Sequence, residues 1–280
     1  MPETWIRSPD MFQCAKTGTG PDRAIYNCGK RRGRLYFLPM KHLRTALAQI
    51  NTTVGDLDGN LVRCLDTVAR ARALGADVVV FPELALTGYP PEDLLLRPGF
   101  LRRCRDTLDA FAHSSGDICS VIGFAECDGN VYNSAAVVSD GSVHLVYRKM
   151  YLPNYGVFDE KRYFSPGTNP GMFLLGDVAI GLTIYEDIWV DNGPYRELGR
   201  TYGADVILNI SASPFHAGKI HEREELLSRR SVESDVPIVY VNLTGGQDEL
   251  VFDGGSLVFD RRGECMLRAK SFEEELTVID

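Results

Sequence analysis

A chain of 280 residues with 44% hydrophobic content can bury one large core, and α/β layers of this size commonly form a single domain. A formal net charge of -8 argues against nucleic-acid or membrane-surface partners, which select basic faces, and the cluster Lys30-Arg31-Arg32-Gly33-Arg34 reads as a solvated tail. No stretch approaches the roughly 18 apolar residues of a membrane span, and seven scattered cysteines without a C-x-x-C pair indicate no metal site and fit a reducing cytoplasm.

Residues 1 to 40 carry Gly, Pro, Arg and polar residues without steady period, so they are expected to form a disordered N-terminal extension, with Met40 as the true start and a domain over 41 to 280. Ala46, Ala48 and Ile50 alternate as on a strand. Asp58 or Asn60 is expected to cap a helix carrying Leu61, Leu65 and Val68, which Gly75 would end. Val78 to Phe81 is a continuous apolar strand of the fully buried kind. Asp128-Gly129 and Asp140-Gly141 are tight-turn dipeptides between apolar runs, which predicts antiparallel hairpins and therefore mixed sheets. Further strands are expected at 178 to 185, 205 to 210 and 237 to 243, with helices near 194 to 203 and 219 to 234. This α/β alternation predicts a four-layer α-β-β-α sandwich with helices outside two facing sheets.

The run Gly181 to Trp189 reads as a buried strand breaking abruptly into an acidic turn, a strand end from which a nucleophile can project. The residue there is Tyr185, whose phenol, with a pKa of about 10, is a poor nucleophile. Phe81-Pro82-Glu83 and Tyr147-Arg148-Lys149 place a carboxylate and an ammonium at the ends of comparable apolar runs. Taken singly, Glu83 reads as a salt-bridged structural carboxylate and Lys149 as a surface lysine. Cys119 and Cys127 lie near other strand ends and read as inert core thiols.

Taken together, these segments resemble the Glu, Lys, Cys constellation of the nitrilase superfamily of carbon-nitrogen hydrolases, with the cysteine gone. The stretches "LRTALAQINTTVGDLDGN" (43 to 60), "FPELALTGYPPEDLLLRPGFL" (81 to 101), "YRKMYLPNYGVFDEKRYFSPG" (147 to 167), "ASPFHAGK" (212 to 219) and "GGQDELVFDGGS" (245 to 256) narrow the resemblance to the glutaminase domain of glutamine-dependent NAD synthetase. The resemblance implies the same four-layer sandwich, and hydrolysis of an amide by a thiolate, a proton-moving carboxylate and an oxyanion-stabilising cation. It makes Glu83 the general base, Lys149 the oxyanion lysine and Tyr185 the occupant of the nucleophile position. Glu160 matches a second acidic residue lining such pockets, and Tyr155, Ser213 and Lys219 match positions that hold glutamine. Each of these four could equally be packed or solvated. Asp248 and Glu249 read as structural.

Tyr185 departs from the family: its ring would fill the acyl pocket, and its hydroxyl could donate to Glu83 or Glu186. A second departure is that no S-G-G-x-D-S phosphate loop of a following synthetase domain is present, since Thr244-Gly245-Gly246-Gln247-Asp248 belongs to the glutaminase motif. The ligand implied is glutamine or a related small amide, with no cofactor or metal, and a homo-oligomer in the cytoplasm is expected. Three functions are carried forward. The domain has lost or nearly lost hydrolysis and serves as a binding or assembly module; it is a working amidase in which water activated by Glu83, or a hydroxyl, replaces the thiolate; or it is a fragment whose NAD synthetase (ATP-pyrophosphatase) partner is a separate chain or was truncated.

Overall fold

The computed structural model describes the backbone of Tyr26–Cys28 and residues 42–280. The expectation of an extension over 1 to 40 therefore lies outside the described residues, apart from that three-residue strand.

Among the described residues, one sheet has the order β1 (Tyr26–Cys28), β7 (Gly171–Leu175), β8 (Val178–Ile184), β9 (Val206–Ser211), β10 (Ile238–Asn242), β13 (Leu257–Phe259), β14 (Cys265–Arg268). The other has the order β15 (Glu275–Ile279), β2 (Thr45–Gln49), β3 (Val78–Val80), β4 (Cys119–Asp128), β5 (Asn130–Ser139), β6 (Ser142–Arg148). Both are mixed: β2, β3 and β4 run parallel, whereas β4 to β6 and the β15 to β2 pair are antiparallel. A small ribbon joins β11 (Thr244–Gln247) to β12 (Leu250–Asp253).

The period-two rule of strands decides the layers. Val78 and Val80 of β3 enter the core between the two sheets, with Val121, Val137, Ile180, Leu182 and Leu208. Val79 faces the other way, toward Cys64, Val68 and Ala71 of α1 (Leu57–Ala73) and Leu108 and Phe111 of α2 (Pro98–Ser115). On the outer face of the seven-stranded sheet, Tyr195 and Leu198 of α4 (Pro194–Arg200) and Leu226 and Leu227 of α5 (Lys219–Ser234) pack on Ile207, Ile238 and Tyr240. The result is the α-β-β-α sandwich expected from the sequence. Burying one such side chain as fully as Phe81, which meets Phe111 edge-on at 5.9 Å, stabilises by about 2–3 kcal/mol.

The local readings divide. The Asp140-Gly141 turn has positive φ at both residues (49° and 78°), as a two-residue hairpin between β5 and β6 requires. Neither Asp58 nor Asn60 caps α1. The cap is Asp56, whose Oδ1 accepts from the Gly59 amide at 3.0 Å, because the helix already begins at the buried Leu57. Asn60 instead reaches back from inside the helix, donating to the carbonyls of Thr53 and Leu86. Replacing Asp56 by Ala is expected to cost about 1 kcal/mol in urea unfolding, whereas Asp58→Ala should change little. The strand expected to reach residue 185 ends at Ile184. Helix α2 was not among the expected elements, although Leu101, Cys104, Leu108, Phe111 and Ala112 bury one face at helical spacing. Cys119 is buried as expected; Cys127 is not a core thiol but is exposed, next to the β4–β5 turn.

One glycine fixes where Glu83 lies. A Cβ on Gly123 of β4 would stand 2.3 Å from the Leu84 nitrogen and 2.5 Å from the Pro82 oxygen, so the backbone carrying Glu83 passes directly over this strand. Gly123→Ala should lower stability by about 2–3 kcal/mol, read from the denaturation midpoint, because two backbones must separate to admit the methyl.

Candidate active site

The site lies at adjoining strand ends of the two sheets. Glu83 follows β3, Lys149 follows β6, Tyr185 follows β8 and Ser213 follows β9. Glu83 and Lys149 are fully buried, and the Lys149 ammonium donates to Glu83 Oε1 at 2.7 Å and to Glu160 Oε1 at 2.8 Å. Glu83 also accepts from Asn133 Nδ2 at 2.7 Å and from the Ala212 amide at 2.9 Å, so it is held from both sheets. Tyr89 donates to Glu160 Oε1 at 2.9 Å. A cavity of about 50 Å³ bounded in part by Tyr89, Leu95, Phe158 and Phe164 adjoins Glu160, which gives this carboxylate free space beside it.

The charges decide the protonation of this cluster. Burial pushes the Glu160 carboxyl up to about 7; Lys149 opposes the rise and Glu83 adds to it. Burial alone would depress the Lys149 ammonium, but Glu160 and Glu83 outweigh it and hold it above its ordinary value. Lys149 is therefore a fixed cation able to stabilise an oxyanion.

Tyr185 sits in a sharp elbow, with φ 34° and ψ -93°, directly before the four-residue helix α3 (Glu186–Trp189). Positive φ is unusual for a bulky residue, and here the Tyr185 amide is anchored to the Ile210 carbonyl at 2.9 Å. The ring is only 1% exposed and packs between Phe158, at 5.5 Å, and Trp189, at 5.9 Å, with the Lys149 ammonium 5.3 Å from its centroid. Its hydroxyl donates to neither Glu83 nor Glu186, the two acceptors expected from the sequence, and lies near the Ser213 side chain, which pulls the phenol's pKa down against the larger effect of burial. Glu186 is occupied instead by the Tyr155 hydroxyl, at 3.0 Å to Oε2. Burial, with Tyr240 and Tyr155 nearby, holds the Tyr185 phenol well above its usual range, so it is a neutral group here.

The structure thus brings Glu83, Lys149, Glu160 and Tyr185 together. Ser213 is fully buried beside Tyr185, within 3.5 Å of Arg223, which in turn forks onto Asp253. Lys219 opens helix α5 and lays its ammonium 3.7 Å from the Trp189 ring centroid, where burial lowers its pKa. Tyr155 stands at the rim, 55% exposed. Asp248 lies exposed in the turn of the β11–β12 ribbon with φ 50°. Sequence reasoning missed Asn133, Tyr89 and Asp187. Tyr89 lay inside a quoted motif, and Asp187 in the acidic turn; Asn133, an isolated amide on a hairpin strand, gave no signal.

The carbon-nitrogen hydrolase family profile matches residues 44–280, and the chain belongs to that family. Within it, the chain is 48% identical over 243 residues to the glutamine-dependent NAD(+) synthetase of Thermotoga maritima, covering 86% of this chain and 42% of that protein. It is 44% identical over 244 residues to the synthetase of Xylella fastidiosa (strain Temecula1), covering 85% of this chain and 44% of that one. The chain therefore spans less than half the length of these relatives. Among solved structures it resembles the glutamine-dependent NAD+ synthetase of Acinetobacter baumannii, with TM-score 0.81 and 41% identity, covering 84% of this chain and 45% of that one. It also resembles the amidase of Nesterenkonia sp. AN1, with TM-score 0.76 and 28% identity, over 85% of this chain and 90% of that one. That structure is of a glutamate-to-glutamine mutant of the amidase with the acetamide moiety of fluoroacetamide added covalently at its active-site cysteine. Among the described residues no helix is long and apolar enough to cross a membrane.

Proposed function

We propose that residues 41 to 280 form a glutaminase-type carbon-nitrogen hydrolase domain of NAD synthetase lineage in which hydrolysis is absent or severely curtailed. The observation that carries this reading is Tyr185, a neutral buried phenol in the elbow beside an intact Glu83 and Lys149 pair. The elbow, the general-base carboxylate and the oxyanion cation are in place for acyl transfer, whereas the low-pKa sulfur nucleophile is not. The relatives, named as glutamine-dependent synthetases, support glutamine or a related small amide as the ligand. Tyr155, Glu160, Ser213 and Lys219 are its binding residues on this reading, and a cytoplasmic homo-oligomer its setting. An ATP-pyrophosphatase synthetase partner fits the greater length of those relatives.

The test is ammonia release from glutamine by the purified protein and by Glu83→Gln. Both are expected to release little, within the residual acceleration of about 10³ to 10⁴ over the uncatalysed reaction left once a nucleophile is lost. Robust hydrolysis by the unaltered protein, abolished by Glu83→Gln, would refute this reading.

A further inference from the structure

Beneath the elbow, Asp187 is fully buried and accepts four hydrogen bonds from two chain segments. Its Oδ1 takes the amides of Met150, at 3.0 Å, and Tyr151, at 2.9 Å, the two residues that follow Lys149. Its Oδ2 takes the Tyr147 hydroxyl, at 2.7 Å, and the Ile184 amide, at 2.9 Å, directly before Tyr185. One carboxylate therefore grips the six-stranded sheet on both sides of Lys149, and the seven-stranded sheet at the residue preceding the elbow.

We propose that Asp187 is a positioning residue that sets the separation between the Lys149 ammonium and the nucleophile position, by tying the backbones of both to one ionised carboxylate. The proposal rests on the reading of residue 185 as the nucleophile position and adds to it what holds that position in register with the oxyanion cation. Only a carboxylate suits the place. Three of the four partners are backbone N–H groups, which can only donate, and they divide between the two oxygens. An asparagine in either orientation turns its NH2 toward the Met150 and Tyr151 amides or toward the Ile184 amide, and leaves that end unbonded.

The charged and titratable side chains acting on Asp187 are Tyr147 from β6 and Lys149 from the segment after it. Burial pushes the Asp187 carboxyl up to about 6, while the bonds from Tyr147, Ile184 and Tyr151 and the Lys149 charge pull the other way. The tie is thus lost as pH falls through that value.

The test places a thiol at the elbow and reads its titration. Tyr185→Cys and Tyr185→Cys/Asp187→Asn are alkylated with iodoacetamide as a function of pH and followed by peptide-resolved mass spectrometry, with the exposed Cys127 as control within each molecule. In the single variant the thiol is expected to titrate below the ordinary value of about 8.5, because the Lys149 cation favours the thiolate. In the double variant it should return toward that value, with about a tenfold loss of thiolate per unit of rise on the acid side. A depressed thiol that Asp187→Asn leaves unchanged overturns the proposal alone; an ordinary thiol in the single variant overturns the reading of the site and the proposal with it. Should the double variant not fold, amide exchange in the unaltered protein decides. Ile184, Met150 and Tyr151 are expected to lose protection together as pH falls through about 6, while Leu182 inside β8 does not. Protection that stays unchanged at these three amides overturns the proposal.

Discussion

Tyr185→Cys should raise ammonia release from glutamine by on the order of a hundredfold or more, a fraction of the roughly 10⁶-fold that losing a nucleophile costs in a serine hydrolase. The elbow that aims residue 185 is held by the backbone, through the Ile210 carbonyl and the start of α3, and does not depend on the tyrosine ring. Removing the ring frees the space between Phe158 and Trp189 for an acyl group, and leaves the sulfur near a cation already paired with Glu83. The same change vacates a core volume and should cost about 2–4 kcal/mol of stability, so activity is to be measured well below the unfolding midpoint. Adding Glu83→Gln to the variant should remove the gain. A gain that survives Glu83→Gln would mean that the carboxylate does not act as the base.

Lys149→Met has the largest expected effect on stability, a loss of about 3–5 kcal/mol in urea unfolding, because it strands two buried carboxylates that now face each other without a cation. The pH dependence gives the sign. Glu160 already carries a folded-state pKa of about 7, raised by burial, so its ionisation costs stability as pH rises through that value. Without the lysine the cost grows, and the variant should become relatively more stable as pH falls from above 7 toward 5, where Glu160 takes up a proton. A deficit independent of pH would show that Glu83, Lys149 and Glu160 do not carry these charges. Replacing the exposed Lys161 in the same way should change stability by less than about 0.5 kcal/mol.

Much of this arrangement was legible in the sequence, for identifiable reasons. Val78 to Phe81 is apolar on both faces, which only a strand between two layers satisfies, and it points Glu83 into the site. The two Asp-Gly turns announced the hairpins that carry Lys149. What escaped depends on contacts between distant segments. Asn133 reaches Glu83 across 50 positions and Asp187 reaches Tyr147 across 40, so no local pattern announces either. Helix α2 was missed despite good spacing because its face mixes Cys104 and Thr107 with the larger apolar residues. The phenol of Tyr185 was expected at a carboxylate, but it donates to neither Glu83 nor Glu186, and Tyr155 takes Glu186 from the rim.

The two sheets meet face to face through Val80, Val121, Ile184 and Leu208, and the groups of the site are divided between them, Glu83 and Lys149 on one sheet and Tyr185 and Ser213 on the other. Their spacing is therefore a gauge of how the sandwich is seated. A slip of one sheet along the other by a fraction of a side chain would leave every strand intact and still pull the lysine away from the elbow. Substitutions that loosen the seam far from the pocket should consequently alter ligand affinity, and a ligand spanning Lys149 and residue 185 should act as a rivet, raising the thermal midpoint of both sheets together.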